Sequence, residues 1–150
     1  MDTAAPDNEN LKSLTLLYVE DDEIPTVESL SLLDVSNLLS RIGEDVDFAK
    51  ELLDLSLSHL PLILKKLRIT LAGSDDMNSI FLQAHTLKGA ASNISALALC
   101  AVCLRVETAA EDGDMKTVLA LMPELEKTLE MTVEAIGKIS LTGIKNDNGG

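Results

Sequence analysis

Ala84–His85–Thr86–Leu87–Lys88–Gly89–Ala90–Ala91 is the stretch whose reading decides the fold of this chain. Around it, Ile80, Ala84, Leu87, Ala91 and Ile94 recur at spacings of four, three, four and three residues. Such positions share a face only on a helix, so the spacing predicts a helix with one buried apolar stripe. At about 100° per residue, His85 falls roughly 140° from the middle of that stripe and points out of the core. Lys88 lies one turn along on the near side of the same outer face. Gly89, four residues after the histidine, has no side chain to shield the ring. An imidazole on the solvent side of a core helix, with a cation at i+3 and open space at i+4, is well placed to hold a negatively charged group.

Working outward, Ser74–Asp75–Asp76 supplies a cap for this helix, which is predicted to end near Asn93. Ser95 is predicted to cap a fourth helix, from Ala96 to near Asp112, ended by Gly113. Asp114 caps a fifth, through Val118, Leu121, Leu125, Leu129, Val133 and Ile136 to near Ile139. Pro123 inside it predicts a bend or a late start. Toward the N-terminus, Asp34 caps a short helix through Val35, Leu38, Leu39 and Ile42, ended by Gly43. Asp45 or Asp47 caps a long one to near Leu71, with Gly73 closing it. Its apolar positions include Phe48, Leu52, Leu55, Leu62, Leu67 and Leu71, and Pro61 predicts a kink or one lost backbone bond. Short links between long amphipathic helices predict antiparallel neighbours. The expected fold is therefore all-α: an up-down four-helix bundle over residues 29–142 with a short extra N-terminal helix. Residues 1–28 read as a polar leader and extension, and residues 143–150 as a disordered tail.

Composition narrows the function. A net charge of −13 makes nucleic acid and anionic membrane surfaces poor partners, and favours a partner with a basic rim. Met1–Asp2–Thr3 lacks the basic start of a signal peptide, and the longest apolar run, Ala96 to Leu104, is too short to span a bilayer. A cytoplasmic location is expected. Cys100 and Cys103 form a Cys-x-x-Cys inside an Ala/Leu-rich helical run, without the second pair a zinc site needs, and read as small core residues. His59, next to Pro61, reads as a histidine without chemical duty. Glu107, Glu111 and Asp112 read as solvated or helix-end charges.

His85-x-x-Lys88-Gly89, with Ala84 before it and small residues after, resembles the active motif of histidine-containing phosphotransfer (HPt) domains. The resemblance continues through Ala96, Leu99 and Glu107 to Asp112–Gly113–Asp114, and covers residues 30–140 or so. It implies a phosphorelay protein in which His85 accepts a phosphoryl group from the aspartyl phosphate of a response-regulator receiver domain and passes it to another receiver. A hybrid histidine kinase is a further expected partner or parent. Magnesium would come from the receiver, so no metal or cofactor is expected here. In such a role a neutral imidazole is the nucleophile, Lys88 offsets charge on the transferring oxygens, and Gly89 gives access. Gln83 and Ser92 are candidate rim groups. One position departs from the family pattern: ten residues after the histidine the family usually has Gly, for close helix approach or a tight turn, and this chain has Ser95. Slight repacking at that helix junction is expected.

Leu14–Thr15–Leu16–Leu17–Tyr18–Val19–Glu20–Asp21–Asp22–Glu23 resembles the first strand and acidic pair of a receiver. The likeness stops there, because Pro61 to Thr70, where the phospho-acceptor would fall, contains no Asp. The stretch is read as a non-catalytic extension. With no glycine-rich nucleotide loop and no room for a separate nucleotide-binding domain, the chain reads as a carrier whose phosphoryl group arrives already activated, not as an enzyme. The competing reading is a catalytically inert helical interaction or dimerisation bundle.

Overall fold

Five helices and no strand make up residues 31–142, the part of the chain that the computed structural model describes. They are α1 (Val35–Arg41), α2 (Val46–Gly73), α3 (Met77–Asn93), α4 (Leu97–Glu111) and α5 (Met115–Thr142). α2 packs on α3, α3 on α4, α4 on α5, and α5 returns to α2, so the four long helices close a ring. Links of three residues separate α2 from α3, α3 from α4 and α4 from α5. Such links reverse the chain at each step, which gives the up-down bundle with α1 as the extra short helix. The receiver-like stretch Leu14–Glu23 and the tail from residue 143 lie outside the described residues.

Acidic caps start four of the five helices, because a carboxylate satisfies backbone N–H groups that have no partner in the first turn. Asp34 accepts from the Asn37 N–H at 2.9 Å and Asp45 from the Phe48 N–H at 3.0 Å. Of the two candidates for α2, Asp45 is therefore the cap. Asp76 accepts from Asn78 and Ser79, and Asp114 from Thr117. Gly43 and Gly113, at φ +75° and +71°, take the left-handed turns that follow α1 and α4. α2 continues through Pro61 and α5 through Pro123. Each proline lacks an N–H, so each helix forgoes one internal bond without ending; α5 does not start late.

The core is aliphatic. Ile80, Ala84, Leu87 and Ala91 of α3, and Ile94 at its C-cap, are all at most 1% exposed, as the spacing predicts. They meet Leu53, Leu60 and Leu67 of α2, Leu99, Val102 and Val106 of α4, and Leu125 and Ile136 of α5. On α2 the apolar positions divide between two faces. Leu67 is buried, but Phe48, Leu55 and Leu62 are exposed, and Ala49, Leu53, Leu60, Ile63 and Leu64 face the core instead. Two apolar stripes run along this helix and, among the described residues, only one is covered.

The α3–α4 junction also departs from expectation. Ser95 does not cap α4. It sits at φ +58°, a left-handed conformation that glycine adopts without penalty, and its buried side chain donates to Asn37 Oδ1 at 2.5 Å. Ala96 occupies the cap position and has no side chain able to accept. The Ser31 carbonyl takes over, accepting from the Ala98 N–H at 2.9 Å, while the Asp34 N–H donates to the Ser95 carbonyl. From the last turn of α1, Arg41 donates to the Ser92 carbonyl at 2.9 Å and to Ser95 Oγ at 3.1 Å. The segment 31–41 thus clamps the end of α3 and the start of α4. Ser95→Ala keeps the backbone strain and leaves the buried Asn37 amide oxygen without its donor, so a loss of about 1–3 kcal/mol is expected in urea unfolding. Ser95→Gly loses the same bonds but recovers roughly 1–2 kcal/mol of left-handed strain, and should unfold between Ser95→Ala and the parent chain.

Candidate functional site

α3 presents its chemistry because its core face uses small and aliphatic residues, leaving the opposite face free for polar ones. His85 stands on that face with a side chain 60% exposed. Phe81, one turn earlier, lies nearly parallel to the imidazole, with ring centroids 5.9 Å apart and planes 9° apart. An i, i+4 pair of rings on one helix restricts how the imidazole can turn.

The group that completes the site comes from α4. Glu107, expected among the solvated charges, is only 6% exposed and lies at the α3–α4 seam. One carboxylate oxygen sits 2.5 Å from His85 Nδ1, and the other accepts from Lys88 Nζ at 2.8 Å. Burial disfavours an ionised carboxylate, but the bonds donated by Lys88 and His85, together with the nearby charges, outweigh it and hold Glu107 below the ordinary carboxylate range. An ionised carboxylate can only accept, so Nδ1 carries the ring hydrogen facing it. In the neutral ring that assigns the free lone pair to Nε2. Sequence reasoning missed this role. A signal was present: His85 and Glu107 lie eleven residues either side of Ala96. A tight reversal between antiparallel helices sets such positions opposite each other.

The other predicted residues divide. Lys88 joins the site through Glu107. Gly89 is exposed, and a Cβ built there meets nothing within 4 Å, so the bundle's own packing does not require glycine. Gln83 instead ties α3 to α2, its amide donating to Thr70 Oγ1 at 2.8 Å. Ser92 lies two turns beyond His85, exposed, with its carbonyl engaged by Arg41. Neither is brought to the ring. Cys103 is buried and Cys100 half-buried, its thiol directed to the Lys88 carbonyl at 3.7 Å. Burial pushes the Cys100 thiol up to about 11 and Cys103 higher still, so both stay protonated near neutrality. His59 is exposed on α2. Among the described residues no group of three or more His, Cys, Asp or Glu is arranged to hold a metal ion, and no helix is long and apolar enough to cross a membrane.

The site and the helix caps share an acid dependence. Bonds from the Ser79 hydroxyl and N–H lower the Asp76 carboxyl, bonds from the Thr117 hydroxyl and N–H lower Asp114, and Glu107 is lowered as described. Each has a folded-state pKa beneath its ordinary value, 3.8 for the aspartates and 4.5 for the glutamate. The stabilisation is therefore complete above those values and is lost as pH falls through the folded-state ones. Melting temperature from these groups should be flat between about pH 7 and 5 and decline below about pH 4 in a pH series of thermal melts.

The family model of the Hpt domain matches residues 51–135, more than half of the chain. No curated protein and no solved structure matches it.

Proposed function

Because the chain belongs to the Hpt domain family, whose members are phosphocarriers in histidine phosphotransfer relays, we propose that His85 is its phospho-acceptor. It takes the group from the aspartyl phosphate of a response-regulator receiver and returns it to the aspartate of another. The observation that carries this reading is the bond between His85 Nδ1 and the buried carboxylate of Glu107. With Nδ1 holding the hydrogen, Nε2 attacks phosphorus without first losing a proton. The N–P bond forms as the P–O bond to the receiver's aspartate breaks, and the electron pair leaves with that carboxylate. The ring then carries a hydrogen on Nδ1 and a phosphoryl group on Nε2, and so bears positive charge. Glu107 lies against that charge and offsets it, and return of the group to a carboxylate reverses the same steps.

Lys88 keeps one donor on Glu107, and its ammonium has two more for phosphoryl oxygens. The magnesium that assists transfer belongs, in this proposal, to the receiver. Leu82 and Leu104, one turn before His85 and Glu107, are 51% and 50% exposed. They give a protein partner apolar contacts at the rim of the site. Gly89 supports the same reading, because a glycine inside a helix costs about 1 kcal/mol relative to alanine, and no neighbour among the described residues explains it. Gly89→Ala is expected to raise stability by up to about 1 kcal/mol in denaturant unfolding while slowing transfer from a receiver.

The test is incubation of the chain with a receiver carrying labelled aspartyl phosphate. Label that becomes attached to the chain and is acid-labile but alkali-stable, as an N–P bond is, supports the carrier. If none of the host's receivers delivers label, the carrier reading fails and the inert bundle stands.

A further inference from the structure

Phe48, Leu55, Leu62 and Ile69 are 43%, 62%, 50% and 62% exposed, and each follows the last by seven residues. On α2 they form a second apolar stripe, roughly 30 Å long at 1.5 Å per residue, on the side turned away from the core. A seven-residue repeat is the period at which one helix keeps a seam against another. None of the four long helices covers it.

The charges beside this stripe specify the occupant. Around its first half α2 and its cap carry Asp45, Asp47, Glu51 and Asp54 against one lysine, Lys50; around its second half α2 carries Lys65, Lys66 and Arg68 and no acid. Arg68 is committed to Glu126 of α5 at 2.8 Å. Glu51 and Lys65 are exposed and take part in none of the ion pairs seen among the described residues. Both lie on the same flank of the stripe, three residues after Phe48 and Leu62 respectively. A helix acidic at one end and basic at the other is complementary to its own copy run in reverse.

We infer that α2 is a self-association surface: two copies of this chain pair antiparallel through Phe48, Leu55, Leu62 and Ile69. A two-fold axis between Leu55 and Leu62 sets Leu55 against Leu62 of the second copy and Phe48 against Ile69. The same axis returns each flank to itself, bringing Glu51 beside Lys65 of the second copy, twice. Parallel pairing would instead gather the acidic ends together and the Lys65 and Lys66 ends together. His85, bonded across to α4, lies on the α3–α4 face, so both phosphotransfer sites of the pair remain open. A stable interface buries about 800 Å² per partner, more than four partly exposed side chains supply. Association is therefore expected in the range of about 10–100 µM and weaker at high salt.

Sedimentation equilibrium of the full chain across that concentration range tests this, with circular dichroism to verify that variants are folded. The expected result is a reversible dimer in low salt, abolished in Leu55→Asp/Leu62→Asp. Glu51→Lys should weaken it roughly tenfold, and Glu51→Lys/Lys65→Glu should restore it, because the double exchange recreates both cross-pairs. Label uptake by Leu55→Asp/Leu62→Asp at matched concentration should equal that of the parent. A parent chain that stays monomeric at the top of the range overturns the inference. So does a dimer indifferent to these substitutions, or a stripe variant that fails to accept label while the parent is monomeric, which would make the stripe a receiver contact.

Discussion

The chain carrying His85→Gln is expected to accept no phosphoryl group from any receiver that labels the parent chain. Glutamine cannot offer an unprotonated ring nitrogen, and its amide nitrogen is not a nucleophile near neutral pH. The fold should survive, because the His85 side chain is 60% exposed and its removal opens no core cavity; surface changes of this kind usually shift stability by within about 0.5 kcal/mol. Glu107 keeps its bond from Lys88 in the variant, so the carboxylate is not left without a donor. The chain has two histidines, which makes the comparison decisive. His59→Gln, altered on the exposed side of α2, should label like the parent. Label persisting in His85→Gln, or vanishing in His59→Gln, would assign the chemistry elsewhere.

Glu107→Ala should slow phosphoryl uptake by about 10–100-fold, the range found when a carboxylate that orients a metal-bound histidine is removed. The variant removes three things together: the acceptor that fixes the Nδ1–H tautomer, the anchor that aims the ring, and the negative charge facing the phosphorylated imidazole. The loss should fall short of the roughly 10⁴-fold seen when a buried catalytic triad loses its carboxylate, because His85 is solvated and still samples the productive tautomer. Single-turnover labelling gives the rate. Nitrogen NMR of the His85 ring supplies the readout that a purely structural role would not move: predominantly Nδ1–H in the parent, a mixture of tautomers in Glu107→Ala. An unchanged rate together with an unchanged tautomer would remove Glu107 from the mechanism. Lys88 is about 29% exposed, so the ammonium it leaves behind can turn to water. Its loss of a partner should cost less stability than a fully buried orphan charge would.

Much of this is legible in the sequence alone. The four-three spacing from Ile80 to Ile94 predicted both the helix and the outward histidine, because a single helix obeys its own geometry. Acidic residues ahead of apolar runs predicted the helix starts, a local matter of spare N–H groups and nearby oxygens. α2 was harder. It has two apolar stripes, and periodicity alone cannot say which one meets the bundle: of its apolar positions Leu67 is buried and Leu52 and Leu71 pack against the core, while Phe48, Leu55 and Leu62 face outward. Ser95 was expected to cap a helix because serine often does, but the chain reversal required a left-handed residue there and a neighbouring segment provided the cap.

By itself the sequence determined an all-helical bundle with His85 facing outward and Lys88 and Gly89 beside it, since each of those depends on spacing within one helix. Only the tertiary structure decided that Glu107 is buried against the ring, that Gln83 turns to α2, and that the described residues leave one flank of α2 uncovered. Those outcomes depend on which helix lies next to which and at what height. That is set by the packing of the whole core, and no local pattern of residues contains it.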